Sequence, residues 1–201
     1  MDTTNKKRCS WCGDNPLYIK YHDEEWGVPL YNDSKIFELL LLETFQAGLS
    51  WITILKKREN FRQEFNNFDY IKISKYSHEK LKKLKLKRRI ICNTLKIKAA
   101  KTNAIAFINI QKEFGSFSKY IWSFVDYKTI QNNFITESQI PTNTKLSYKI
   151  SKDLKNRGFK FVGKTIVYAF MQAMGIVNDH TINCFRNEEI AILNSKNRDD
   201  F

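Results

Sequence analysis

Seven glycines and three prolines in a chain of 201 residues leave few positions for the tight turns that sheet-rich folds need, since such turns draw on the positive φ of glycine and the fixed φ of proline. Long stretches instead carry Leu, Ile, Ala and Lys at helical spacing, which predicts an all-α fold. Hydrophobic residues at 42% and aromatics at 14% suffice for a buried interior and exclude a disordered chain. The length allows one domain, or two small lobes sharing a core. No repeat, linker or low-complexity tract divides it. Residues 1–186 read as one unit and 187–201 as a peripheral tail.

The helices can be placed from their punctuation. "NPLYIKYHDEEWG" (15–27) has Pro16 early and Gly27 late, as a short helix would. "NDSKIFELLLLETFQAGLSW" (32–51) reads as a buried helix with Asp33 or Ser34 as its N-cap. Gly48 ends it, and a further helix starts at once. "NTLKIKAAKTNAIAFINIQKEFG" is the longest pattern. "KLSYKISKDLKNRG" and "GKTIVYAFMQAMG" are two helices separated by a short turn.

Thirty-four Lys and Arg against 21 Asp and Glu give a formal charge of +13, a balance that favours polyanions and above all nucleic acid. Residues 72–101 hold twelve of these cations and one Glu; most belong to solvated faces of amphipathic helices. The N-terminus lacks the apolar core of a secretion signal, and the longest apolar run is too interrupted to span a bilayer. A cytoplasmic protein is expected, a monomer by default. Four cysteines there argue for metal or free thiols over disulfides.

"GFKFVGKT" (158–165) spells the G-x-x-x-x-G-K-T of a phosphate-binding P-loop. A working P-loop follows a buried strand and has a small, flexible interior. Here a charged helical pattern precedes it, and Phe159, Lys160, Phe161 and Val162 fill it. A nucleotide hydrolase is therefore disfavoured. The same glycines also fit a helical hairpin at 157–164, with Gly158 ending one helix and Gly163 opening the next. Such a hairpin can present backbone N–H groups to a DNA phosphate beside Lys160 and Lys164, or it can be a plain turn.

Metal-ligating residues lie near both ends. Cys9, Cys12 and His22 stand in front; His180 and Cys184 stand behind at i, i+4, which on a helix would share one face. Two donors from each end would complete a tetrahedral zinc site, with Cys9–Cys12 or Cys9–His22 as the front pair. Glu43 shares the apolar face of its helix with Ile36, Leu39, Leu40 and Ala47, so its carboxylate must be paired, protonated or aimed into a pocket. Glu38 sits beside polar positions and reads as solvent-exposed. Tyr18, Tyr21, Trp11, Trp26 and Trp51 are nearby in sequence, and rings around a buried acid make a slot for a flat cation.

The segments "RCSW", "DNPLYIKYHDEEWGVP", "QAGLSWITILKKRENF", "IWSFV" and "LKNRGFKFVGKTIVYAFMQAMGIVNDH", followed by Cys184, resemble bacterial 3-methyladenine DNA glycosylases I, collinearly over nearly the whole chain. The resemblance implies the all-α helix-hairpin-helix glycosylase fold, with a structural zinc joining the two ends on Cys9, His22, His180 and Cys184. Cys12 stands where the motif does not demand cysteine, which leaves it and Cys92 as free thiols. It further implies a base pocket of Glu43, Tyr18, Tyr21 and Trp51 with Trp11 beside it, and Trp26 packing around it. Gly48 and Leu49 would enter the duplex, and Gly158, Lys160, Gly163 and Lys164 would grip the backbone.

The implied activity is hydrolytic removal of 3-methyladenine from double-stranded DNA, releasing the free base without strand cleavage. Related enzymes use an Asp in a V-D-x-H run; this chain has Asn178 there, and Asp179 is shifted by one, facing about 100° away if helical. A zinc-stabilised DNA-binding module without catalysis is the alternative.

Overall fold

The structure, a computed structural model, describes residues 6–196. Ten α-helices account for most of them: α1 (Pro16–Glu24), α2 (Asp33–Gln46), α3 (Trp51–Glu64), α4 (Tyr70–Ser74), α5 (His78–Lys85), α6 (Thr94–Phe114), α7 (Phe117–Trp122), α8 (Lys145–Asn156), α9 (Lys164–Ala173) and α10 (Phe185–Lys196). The all-helical expectation needs one small amendment. Two-residue strands β1 (Ile130–Gln131) and β2 (Val177–Asn178) pair in parallel.

Helix starts follow local side-chain chemistry. Asn15 accepts the Leu17 N–H ahead of Pro16 at the first helical position, and Asn93 accepts those of Leu95 and Lys96. Both arrangements satisfy amides that a helix start leaves without partners. At α2 the cap is Asn32, which accepts the Lys35 N–H at 3.1 Å; the expectation of Asp33 or Ser34 misplaces it by one or two residues. Asp33 serves a neighbour instead. Its carboxylate accepts the N–H groups of Phe117 at 2.9 Å and Ser118 at 2.8 Å, at the start of α7.

Helix α2 runs through the centre and is packed by α3, α6, α7 and α9. Ile36, Leu42, Phe45, Phe61, Phe65, Phe107 and Phe117 are fully buried around it, each worth about 1.5–3 kcal/mol of transfer free energy. The chain after α1 docks on the end of α9: Gly27 N–H donates to Gln172 O at 3.0 Å and Leu30 N–H to Met174 O at 3.1 Å. At Gly175, φ is +74°, and a Cβ there would lie 2.5 Å from the backbone of Pro29. Only glycine admits so close a crossing.

The stretch expected as a peripheral tail begins within α10, whose Ile190 is fully buried; residues 197–201 lie outside the described residues. Among the described residues no helix is long and apolar enough to cross a membrane.

Candidate active site

A cavity of about 340 Å³ opens between α1, α2, α3 and α9 and is lined by Trp11, Tyr18, Tyr21, Trp26, Glu43, Gln46, Trp51, Glu137, Ile140, Ala169 and Gln172. Every residue that the sequence assigns to the aromatic slot is therefore in one place. Trp26, expected to pack around the slot, lines it as well. The rings brace one another: Trp11 lies 5.0 Å from Tyr18 and 4.9 Å from Trp26, and Tyr21 lies 5.4 Å from Trp51, centroid to centroid.

Glu43 reaches the cavity from the middle of α2 and is 2% exposed. Its Oε2 has no hydrogen-bond partner among the described residues, and neither do the indole N–H groups of Trp11 and Trp51. Buried polar atoms are nearly always paired, so three orphans around one cavity mark a place built for a ligand with polar edges. Burial without a compensating cation pushes Glu43 up to about 8. Burial likewise raises the phenols of Tyr21 and Tyr18.

Sequence reasoning misses Glu137, Gln172, Gln46, Ile140 and Ala169. Glu137 bonds the backbone N–H of Ser10, accepts the Ser10 hydroxyl at 2.8 Å and accepts the Trp11 N–H at 3.2 Å. It thereby ties the segment bearing Trp11 across the mouth of the cavity. Gln172 Nε2 donates to Asp179 at 2.8 Å, and Asp179 also accepts from Tyr168 at 2.7 Å and Asn132 at 2.7 Å. Asp179 is thus a buried acceptor that does not line the cavity. It lies just after β2 rather than on a helix, so the expected helical rotation away from Asn178 does not apply. Asn178 is fully buried and bonded to Gln131 and the Asn187 carbonyl.

Behind the cavity, Cys9, His22, His180 and Cys184 are all buried, with donor atoms within 4.8 Å of one another. Cys184 Sγ lies 3.4 Å from His22 Nε2 and 3.4 Å from His180 Nδ1, and Cys9 Sγ lies 3.7 Å from His180 Nδ1. Bonds of about 2.3 Å to sulfur and 2.0–2.1 Å to nitrogen put the edges of a tetrahedral site at roughly 3.3–3.8 Å. The outer ring nitrogens are also engaged: His22 Nδ1 bonds Asp23 at 2.8 Å and His180 Nε2 bonds the Trp26 carbonyl at 2.9 Å. Each bond sets the tautomer that leaves the inner nitrogen unprotonated, and His22 Nε2 also accepts the Cys9 N–H at 3.3 Å. Cys184 is drawn far below the usual thiol range by its bond with Cys9 and by both imidazoles, while Cys9 is pushed up by that bond and by burial. This group could hold a metal ion. His180 and Cys184 reach it from a turn in which Cys184 N–H donates to Thr181 O at 2.8 Å, not from the helix that their spacing suggests. Cys12 is buried outside the group with its Sγ on the Cys9 carbonyl at 3.1 Å, and Cys92 is exposed.

Neither of the two turns expected to meet DNA contributes Gly48, Leu49, Lys160 or Lys164 to the cavity lining. Gly48 (φ +84°) turns the chain between α2 and α3 and leaves Leu49 40% exposed. Between α8 and α9, Gly158 has φ +94°, Phe159 and Val162 are buried as anchors, and Lys160 and Lys164 are exposed. The helix α8 stands where a P-loop would need a strand. Glu38 does not face solvent: Arg58 and Arg62 each bond it at 2.7 Å. It borders a larger cavity of about 500 Å³ on another face of α2, with Glu25, Arg58 and Arg62, whose charges pair with one another.

Residues 11–187 match the family model described as methyladenine glycosylase. "DNA-3-methyladenine glycosylase 1" of Escherichia coli (strain K12) is 48% identical over 178 residues, covering 89% of this chain and 95% of that protein. "DNA-3-methyladenine glycosylase" of Haemophilus influenzae is 45% identical over 177 residues, covering 88% and 96%. A solved structure of 3-methyladenine DNA glycosylase I from Staphylococcus aureus, described as giving the structural basis of 3-methyladenine recognition, superposes with a TM-score of 0.87 at 35% identity, covering 90% of this chain and 96% of the other. Sequence, fold and cavity agree, and the chain belongs to the methyladenine glycosylase family.

Proposed function

We propose that this chain is a DNA base-excision glycosylase that extrudes 3-methyladenine from double-stranded DNA and hydrolyses its N-glycosidic bond. The observation that carries this reading is the partnerless Glu43 carboxyl in a cavity walled by Tyr and Trp rings. N3-methylation leaves the base in DNA positively charged and a good leaving group. The enzyme then has only to find, extrude and hold it. Extrusion costs on the order of a few kcal/mol, less for a damaged pair.

In the cavity, the rings of Tyr18, Tyr21, Trp51 and Trp11 surround the cation, and Glu43 accepts hydrogen bonds from its amino edge. With its carboxyl pushed up to about 8, Glu43 is protonated at neutral pH before the base arrives. A cation placed against Oε2 reverses that balance, so base entry expels a proton. Asp179 is fully engaged by three donors, which supports cleavage that relies on the charge of the leaving group. Among the described residues no lysine lines the cavity, which supports a monofunctional enzyme that leaves an intact abasic strand.

Gly48 and Leu49 form the turn that enters the duplex, and the α8–α9 hairpin, with Gly158, Lys160, Gly163 and Lys164, grips the backbone as a helix-hairpin-helix element. Zn²⁺ is the metal that two thiolates and two imidazoles suit; on Cys9, His22, His180 and Cys184 it would be structural. A cytoplasmic monomer completes the reading.

Mass-spectrometric analysis of bases freed from methylated duplex DNA tests it. Release of 3-methyladenine with 7-methylguanine left in place is expected, together with its near loss in Glu43→Ala that keeps fold and metal content. No release from folded, metal-loaded protein would leave a DNA-binding module without catalysis.

A further inference from the structure

Helix α6 carries two buried polar side chains seven residues apart, Lys96 and Asn103. Seven residues are nearly two turns, so both project from one face, about 10 Å apart along the axis. Lys96 Nζ donates to the carbonyls of Phe45 at 2.8 Å and Ala47 at 2.7 Å, where the end of α2 leaves carbonyls without helical partners. Leu49 follows two residues later. Asn103 takes both backbone groups of one hairpin residue: its Oδ1 accepts the Lys160 N–H at 2.8 Å, and its Nδ2 donates to the Lys160 carbonyl at 3.1 Å. Between the two attachments, Leu95, Lys98, Ala99, Thr102, Lys160 and Phe161 line an open groove of about 430 Å³.

Lys96 pairs with no carboxylate among the described residues. A buried cation is weak evidence for stability, since an apolar side chain of similar volume commonly packs as well or better. What the ammonium supplies is directional: two bonds that hold the α2–α3 turn in a fixed place relative to α6, at the negative end of α2. The amide of Asn103 does the same for the hairpin.

We propose that Lys96 and Asn103 make α6 the spacer that sets the separation of the two DNA-facing turns, and that they are positioning residues for duplex engagement rather than for the base cavity. This rests on the reading that residues 48–49 and 158–164 face DNA. Glu43 is held by the buried face of its own helix, and Trp11, Tyr18, Tyr21 and Trp26 reach the cavity from outside the α2–α3 turn, so most of its wall does not depend on either tether.

The test compares Lys96→Met and Asn103→Ala with wild type in two binding titrations. One uses free 3-methyladenine, followed by tryptophan fluorescence; the other uses a duplex carrying a tetrahydrofuran abasic analogue. Duplex affinity is expected to fall about tenfold or more in each variant, the scale of a lost charge-assisted or buried bond, with free-base affinity within about twofold. The double variant should lose less than the product of the two, because releasing either end already frees the spacing. Equal losses on both ligands, or duplex affinity within about twofold of wild type in both variants, would overturn the proposal. If Lys96→Met does not fold, Lys96→Arg and Asn103→Asp carry the same expectation at smaller size. A wild-type chain that binds the free base but no duplex overturns the glycosylase reading as well, whereas variants that bind normally overturn this one alone.

Discussion

Trp26 and His180 are joined twice. Their rings meet edge to face at 4.6 Å, and His180 Nε2 donates to the Trp26 carbonyl at 2.9 Å. Trp26 lines the aromatic cavity and His180 belongs to the Cys/His group, so the Cys/His group and the aromatic cavity share a wall. Exhaustive chelation is therefore expected to weaken binding of free 3-methyladenine as well as stability. Calorimetry should show the melting temperature falling by about 10 °C or more, given about 2–4 °C per kcal/mol at this size. Zn²⁺ should restore both. Unchanged base affinity in the stripped, folded protein would separate the two sites.

Glu43 gives stability a pH dependence of defined sign. Its folded value of about 8 lies above the ordinary 4.5, so between those limits the folded chain binds the extra proton and stability falls as pH rises. Glu43→Gln cannot ionise and escapes this loss. A tenfold change in proton affinity is worth about 1.4 kcal/mol. Urea denaturation should therefore find the variant level with wild type near pH 4 and more stable by about 3–5 kcal/mol near pH 8. An unchanged difference across that range would mean that the carboxyl is not desolvated.

Glu38 is the counterpart that is paired rather than waiting. It accepts from Arg58 and Arg62 at 2.7 Å each, and its removal leaves two part-buried guanidiniums short of a partner. Glu38→Ala should destabilise the fold by about 2–3 kcal/mol, below the figure for a fully buried pair because both arginines keep some solvent. Base release by the folded fraction should stay at the wild-type rate.

Lys160 and Lys164 flank the hairpin turn and are exposed. If each neutralises one phosphate, Lys160→Ala and Lys164→Ala should each lower the slope of log affinity against log salt by about 1 for duplex DNA. Free-base binding should not change. An unaltered slope would place the backbone elsewhere.

The sequence makes some of this legible and hides the rest for physical reasons. Glu43 stands out because helical periodicity places it among Ile36, Leu39, Leu40 and Ala47, and an acid on an apolar stripe is anomalous wherever the helix packs. Glu38 reads wrongly as exposed because its arginine partners lie twenty and twenty-four residues away on α3, and periodicity carries no information across helices. The spacing of His180 and Cys184 fits a helix and a tight turn equally well. Gln172 is discoverable by the reasoning that finds Glu43, since it interrupts an apolar run between buried Met171 and Ala173. Glu137 gives no such signal. It sits in a polar loop, and only the fold brings it to Ser10 and Trp11.

The Cys/His group joins Cys9 and His22 to His180 and Cys184, so the segment next to Trp11 meets side chains that lie 162 to 171 positions further along the chain. A nascent chain stalled anywhere before Cys184 lacks at least one of the four donors, so the cluster behind the cavity can close only after residues of both segments have been made.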